Sequence, residues 1–276
     1  MADSPKELLK RHGLRAKESW GQNFLSDEVV LGRIVDEAML VESDVVVELG
    51  PGLGHLTRKL LDTGCRLVAV ERDRDMVKVL EAQKLEGLTL VEGNAADTDF
   101  AKVANADQVI VVGNLPYHLT SPILFQVLDQ TDHVRRAVFT LQAEVVERLS
   151  AAPGGRDYGL LSVLLGLRFY VEHVLDVPSH FFHPPPKVNS AVVRLSRREK
   201  PRAEVVSEAR FRQVVKAGFA QRRKTLTNSL ASDRKLADTY DLDAALVTAG
   251  IDGKRRAETL SVDEFAALER ALGSVL

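Results

Sequence analysis

Apolar and polar positions along this chain switch repeatedly between two periods. Short β-branched runs at Val45 to Leu49, Arg66 to Val70, Leu88 to Val91 and Val109 to Val112 are separated by stretches of helical spacing such as His55 to Leu61. Val109 to Val112 holds no polar position and reads as a strand buried on both faces. The alternation continues to about Arg197 and predicts an α/β fold, a mainly parallel Rossmann-like sheet wrapped by helices, whose ligands bind at the carboxyl ends of the strands. Around Glu199-Lys200-Pro201-Arg202 the pattern changes. From Val205 onward Phe211, Val214, Val215 and Phe219 share one helical face, turn signals follow at Gly250 and Gly253, and a last helix runs from Val262 to Leu272. Two domains are expected: residues 1–200, an α/β domain with a basic N-terminal arm, and residues 201–276, a small helical domain.

The ends of the predicted strands carry the chemistry. Val45 to Gly54 reads strand, then Gly50, Gly52 and Gly54 at alternate positions, then a helix start whose free amides face a ligand. A dinucleotide fingerprint needs its third glycine one residue later, so this spacing argues against NAD. Glu71 closes the next strand about twenty residues beyond Gly50, where an acid accepts hydrogen bonds from both ribose hydroxyls. Asn94 follows the third strand, either facing the adenine of a ligand or serving as an ordinary turn asparagine.

After the fourth strand come Asn114-Leu115-Pro116-Tyr117. An exocyclic purine amine is a poor nucleophile because its lone pair is delocalised into the ring, and methylating it requires holding the nitrogen pyramidal. The Asn114 side-chain oxygen and a backbone carbonyl of the turn can each accept one amine hydrogen, while Pro116 stiffens the backbone and Tyr117 offers a stacking face. No strong base is needed. Read alone, the tetrapeptide is equally a strand-ending turn.

At this point the chain resembles a known family, the S-adenosylmethionine-dependent adenine dimethyltransferases of small-subunit ribosomal RNA (the KsgA family). Further matching stretches are Gly21 to Leu25, Leu141 to Leu149, Tyr158 to Val163 and Phe182 to Val193, so the resemblance covers nearly the whole chain. It implies S-adenosylmethionine as methyl donor, held by Asn23, Leu25, Gly50, Gly52, Glu71, Asn94 and Asn114. It implies a target base near Asn114, Leu115, Pro116 and Tyr117, with Phe182 closing the other side ahead of the stiff Pro184 to Pro186. Two phenylalanines in a row, Phe181 and Phe182, read equally as core. The implied substrate is a pair of adjacent adenines in a hairpin loop near the 3′ end of small-subunit RNA, within a pre-ribosomal particle at a late step of its assembly. Rivals are an adenine of large-subunit RNA or DNA, and a non-catalytic assembly or transcription role. Two departures stand out. Asn94 replaces the family's usual Asp, a weaker acceptor for an adenine amine, and His118-Leu119-Thr120-Ser121-Pro122 replaces the more usual Asn-Ile-Ser-Thr-Pro, with His118 read as a surface residue.

Charge refines the picture. The net charge is −2, yet from Arg194 to Lys224 eleven Lys or Arg face only Glu199, Glu204 and Glu208. Such a segment attracts phosphates, and within it Phe219 to Leu226 resembles the family's second-domain signature, making Arg222, Arg223 and Lys224 the expected RNA contacts. Lys6, Lys10, Arg11, Arg15 and Lys17 form a smaller basic arm or a disordered tail. Cys65 is the only cysteine, which excludes internal disulfides and makes a thiolate metal site implausible. No apolar stretch reaches membrane-spanning length and no signal peptide is evident, so a cytoplasmic monomer is expected, without metal.

Overall fold

The computed structural model describes residues 3–274. Its strands are β1 (Phe24–Leu25), β2 (Val45–Leu49), β3 (Arg66–Glu71), β4 (Leu88–Glu92), β5 (Val109–Asn114), β6 (Val134–Gln142), β7 (Phe169–Val177), β8 (Phe182–His183) and β9 (Ser190–Arg197). Seven of them form one sheet in the order β4-β3-β2-β5-β6-β9-β7, and β1 pairs with β8 in a separate ribbon. β2 runs parallel to both β3 and β5, β3 to β4 and β5 to β6, whereas β9 returns antiparallel to β6.

Strand order reverses between β2 and β5, because the chain builds outward through β3 and β4 before returning to β5 on the other side. At such a switch point the loops leave in opposite directions and open a crevice beyond the carboxyl ends. β5 is buried through Gly113, as its apolar run predicts, and runs two residues beyond that run to place Asn114 at its tip. Gly113 is required there: a Cβ would lie 2.7 Å from the Leu49 carbonyl oxygen, so only glycine lets the tips of β2 and β5 approach so closely.

Two compact units divide the chain. The first holds the chain up to Val146 together with Glu172–Arg197. Its helix Glu28–Ala38 starts at Asp27, whose carboxylate accepts the Val29 and Val30 amides, and buries Val30, Leu31, Ile34 and Ala38 on one stripe. The N-terminal arm is structured rather than a tail: Ser4 and Glu7 form a capping box for helix Pro5–Arg11, and Leu8 and Leu9 pack with Phe24, Leu53, Met76 and Val79. Arg11 and Lys17 are taken up by Asp3 and by Asp73 with Asp75.

The second unit comprises Glu147–Val171 and the chain from Arg198 onward. Residues 147–171, read from sequence as part of the α/β domain, therefore group with the helical segment. Helix Leu160–Arg168 buries Val163, Leu164, Leu165 and Leu167 and needs apolar partners on several sides; Tyr158 meets Phe219 edge-on, which in turn stacks on Phe265 at 5.8 Å. Helix Glu208–Phe219 buries Phe211, Val214 and Val215, as its spacing predicts. The last helix is Val262–Ser274.

Candidate active site

The loops beyond β2, β3, β4 and β5 enclose a cavity of about 270 Å³ that lies wholly within the first unit. Asn23, Leu25, Gly50, Gly52, Glu71, Asn94, Asn114, Leu115, Pro116 and Tyr117 all line it.

One half is built around Glu71. Its Oε2 accepts the Gly52 amide at 3.0 Å and its Oε1 accepts the Asp73 amide at 2.8 Å, which fixes the carboxylate at the cavity wall. Burial raises the Glu71 pKa above the ordinary carboxylate range, opposed by those backbone donors. Gly50 and Gly52 both have positive φ, 68° and 54°. A Cβ on Gly50 would meet nothing within 4 Å, so the cavity passes directly over its backbone. Asn94 caps the turn at Ala95–Asp97: its oxygen accepts the Ala96 amide at 3.3 Å and its Nδ2 donates to Asp97 at 2.6 Å. It is thus a turn asparagine that also faces the cavity.

The other half is the tetrapeptide. Asn114 Nδ2 donates to the Asn23 carbonyl at 2.9 Å, which orients the amide and leaves Oδ1 without a hydrogen-bond partner among the described residues. The carbonyls of Pro116 and Tyr117 already accept the Leu119 and Thr120 amides, whereas the Leu115 carbonyl has no hydrogen-bond donor among the described residues. The Leu115 amide is tied to the Thr140 carbonyl at 3.2 Å, and its side chain is buried, so the turn is pinned at both levels. Tyr117 is half-buried, with its hydroxyl 2.8 Å from Ser190 Oγ and its pKa raised by burial.

Phe182 departs from expectation. It is 5% exposed, packs with Leu25, Ile34, Val177 and Val192, and does not line the cavity. The antiparallel register sets Phe182 opposite Leu25. Leu25 faces the cavity, and Phe182 supports it within the core, so no aromatic sandwich with Tyr117 is formed here. Phe181 packs against the same cluster.

Segment 17–23, singled out in the sequence through the Gly21 to Leu25 match and through Lys17 in the basic arm, joins the two halves. Lys17 bonds Asp73 and Asp75, each at 2.6 Å, and Gln22 bonds Asp73 at 2.7 Å. These contacts hold Asp73 below the usual carboxylate range despite its burial. Sequence offers no partner for Lys17 or Gln22, so this bracing becomes visible only when Asp73 and Asp75 are brought beside them.

Glu48 is a second residue that the sequence did not single out. It lines the cavity at 1% exposure, and its Oε2 has no partner among the described residues. Burial, reinforced by the charge of Glu71, pushes its pKa from 4.5 to about 8. The folded state keeps this proton where the unfolded chain has released it, so the Glu48 contribution to stability falls as pH rises from about 4.5 to about 8. Glu48→Gln, neutral and isosteric, is expected to flatten the decline of Tm across that window. Thermal unfolding at both ends checks this, and an unchanged decline in the variant contradicts it.

His118 is exposed at the cavity rim with no acidic partner among the described residues. For the methyl transfer that the resemblance implies, His118→Ala is expected to keep turnover within about threefold of wild type, because proton loss from a methylated amine is easy in water. A loss of tenfold or more in a turnover assay would assign it a proton-transfer role. Arg222, Arg223 and Lys224 are exposed in the turn after helix Glu208–Phe219, and Arg222 also donates to the carbonyls of Arg156 and Tyr158. Much of the remaining basic segment is committed internally: Arg194 pairs with Glu172 and Glu37, Arg202 with Asp263, and Arg210 with the fully buried Glu269. Its charge is therefore less available to phosphate than the sequence count implies. Among the described residues no His, Cys, Asp and Glu cluster has the makings of a metal site, and no helix is long and apolar enough to cross a membrane.

Comparison with known proteins converges on one family. Residues 13–273 match the family model described as ribosomal RNA adenine dimethylase. The ribosomal RNA small subunit methyltransferase A of Myxococcus xanthus is 64% identical over 271 residues, covering 98% of this chain and 96% of the relative. A solved dimethyladenosine transferase from Plasmodium falciparum is 25% identical with a TM-score of 0.72, covering 89% of this chain and 95% of that one. The 23S rRNA methyltransferase ErmE is 27% identical with a TM-score of 0.69, covering 91% and 100% respectively.

Proposed function

This chain belongs to the ribosomal RNA adenine dimethylase family, and on that premise we propose that it transfers methyl groups from S-adenosylmethionine to N6 of adenine in small-subunit ribosomal RNA, giving dimethyladenosine. We further assign as its target two adjacent adenines in a hairpin loop near the 3′ end, modified by a monomer late in small-subunit assembly. The observation that carries the reading is the Asn114 amide, fixed by the Asn23 carbonyl so that Oδ1 is a free acceptor at the tip of β5.

The residues present fit the donor. Glu71 offers a held carboxylate for a ribose, Gly50 leaves backbone exposed beside it, and the orphaned Glu48 oxygen faces the same cavity. When bound, S-adenosylmethionine supplies an electrophilic methyl group on a sulfonium. The protein's work is placement and fixed dipoles. In the first transfer Asn114 Oδ1 and the Leu115 carbonyl each accept one hydrogen of the incoming amine, which withdraws its lone pair from the ring and directs it along the transfer axis; in the second the monomethylated amine keeps one hydrogen, which one of the two accepts. As the nitrogen becomes tetrahedral and positive its hydrogens become stronger donors, so both bonds tighten toward the transition state. The proton then leaves to water. Pro116 and the Leu115 to Thr140 bond keep the two acceptors from relaxing apart.

Tyr117 is the stacking face for the flipped base. Tyr117→Ala is expected to cost about 1 to 3 kcal/mol in kcat/KM for RNA. Tyr117→Phe keeps the ring, loses only the hydroxyl contact to Ser190 and should stay within about threefold. Equal losses in both variants would move the role from the ring to the hydroxyl.

Incubating the chain with labelled donor and unmodified small or large subunits, then quantifying dimethyladenosine by mass spectrometry, tests the function. Label in small-subunit RNA is expected. Label confined to large-subunit RNA, the target named for ErmE, would reassign the substrate, and no label in either would leave a binding role.

A further inference from the structure

The segment that carries Asn23 also carries the chain's single tryptophan. Trp20 lines the cavity with 39% of its surface open, although an indole gains more than any other side chain from burial. Two cations flank the ring: Lys17 Nζ lies 5.1 Å and Arg72 Cζ 5.2 Å from its centroid. They are not equivalent. Lys17 is held by Asp73 and Asp75 and anchors the turn. Arg72 lines the cavity and makes no ion pair among the described residues, so its charge remains free for an anion.

The turn is braced against the acceptor side as well. A Cβ on Gly21 would lie 3.4 Å from His118 Nδ1 and 3.6 Å from Pro116 Cβ, and the Asn23 carbonyl takes the Asn114 amide. Trp20 is thus fixed between residues tied to Asp73 and residues tied to the tetrapeptide, with its ring open. Exposed, immobilised and beside a free guanidinium, an indole has the properties of a platform for a nucleobase with its phosphate.

We propose that Trp20 stacks the nucleotide flanking the target adenine, with Arg72 pairing the adjoining phosphate. The proposal rests on the RNA adenine reading above and deepens it. Turning one base out of a loop leaves its neighbour without a stacking partner, and an aromatic face beside the catalytic turn replaces that partner. It also sets the register of the strand, which positions the adenine over Asn114.

Because Trp20 is the only tryptophan, fluorescence excited beyond the tyrosine absorption band reports on it alone. The full chain is titrated with S-adenosylhomocysteine and then with an unmodified RNA hairpin bearing two adjacent loop adenines. Emission is expected to change little with the nucleoside and to be quenched by roughly half or more with RNA. In anisotropy titrations of the labelled hairpin, Trp20→Leu should weaken RNA binding by about tenfold or more and Trp20→Phe by less than about threefold, while S-adenosylhomocysteine affinity holds in both. Quenching that saturates with the nucleoside alone would assign the ring to the donor. Silent fluorescence on RNA binding, or equal losses in the Leu and Phe variants, would reduce Trp20 to packing. A wild-type chain that methylates RNA while Trp20 stays silent sinks this inference alone, whereas one that methylates no RNA sinks the reading beneath it as well.

Discussion

Asn114→Ala is expected to lower turnover by roughly 150-fold at saturating donor and RNA, about 3 kcal/mol, the usual loss for one preorganised polar group at a reacting centre. The wild-type amide is aimed by a single bond, from Nδ2 to the Asn23 carbonyl at 2.9 Å, and its oxygen is left for the amine. Alanine removes that acceptor and leaves the Asn23 carbonyl unpaired beside it. The Leu115 carbonyl remains, but one acceptor cannot hold two amine hydrogens, so the lone pair returns to the ring. The effect should fall on kcat more than on RNA affinity, because the bonds are strongest in the transition state. Single-turnover kinetics measures it, and wild-type turnover would remove Asn114 from the mechanism.

Glu71→Ala is the second large effect, and it should appear in donor affinity. Each Glu71 oxygen accepts one backbone amide, from Gly52 and from Asp73, in a site that is largely withdrawn from water. Alanine leaves those two donors unpaired and removes the acceptor for the ribose hydroxyls, a loss of about 3 kcal/mol or roughly 150-fold in Kd. Glutamine should rescue little, because whichever way its amide is turned the NH2 faces an N–H donor. Calorimetric titration with S-adenosylhomocysteine checks both variants. Affinity within threefold of wild type in Glu71→Ala would contradict the ribose assignment.

What could be read ahead of the fold was local. The run Val45 to Leu49, the glycines after it and the helix His55–Leu61 form as their spacing predicts, because strand, turn and helix signals there agree with one another. Gly50, Glu71, Asn94 and Asn114 were predicted at successive strand ends, and parallel pairing brings them to one cavity. The contacts that were not legible are those between distant segments. Asn23 and Asn114 are 91 residues apart, and nothing in either neighbourhood says that one orients the other. Choosing between Phe181 and Phe182 needed the β1 to β8 register, which places Phe182 opposite Leu25 and within the core. The basic stretch misled for the same reason: Arg194 and Arg210 look free in sequence and meet Glu172, Glu37 and Glu269 only after folding. The N-terminal segment could have been arm or tail until Leu8 and Leu9 found Phe24 and Leu53.

The central claim is that an acceptor oxygen held in place by the Asn23 carbonyl, rather than a base or a charge, makes the adenine amine reactive. Comparing wild type, Asn114→Ala and Asn114→Asp in single-turnover methylation of unmodified small subunits, at donor concentrations that saturate each, tests it directly. Aspartate supplies acceptor oxygens and a charge but no N–H for the Asn23 carbonyl, so it should be impaired by at least about tenfold. If Asn114→Asp instead turns over as fast as wild type, the orienting bond does not matter and the account of the site is wrong.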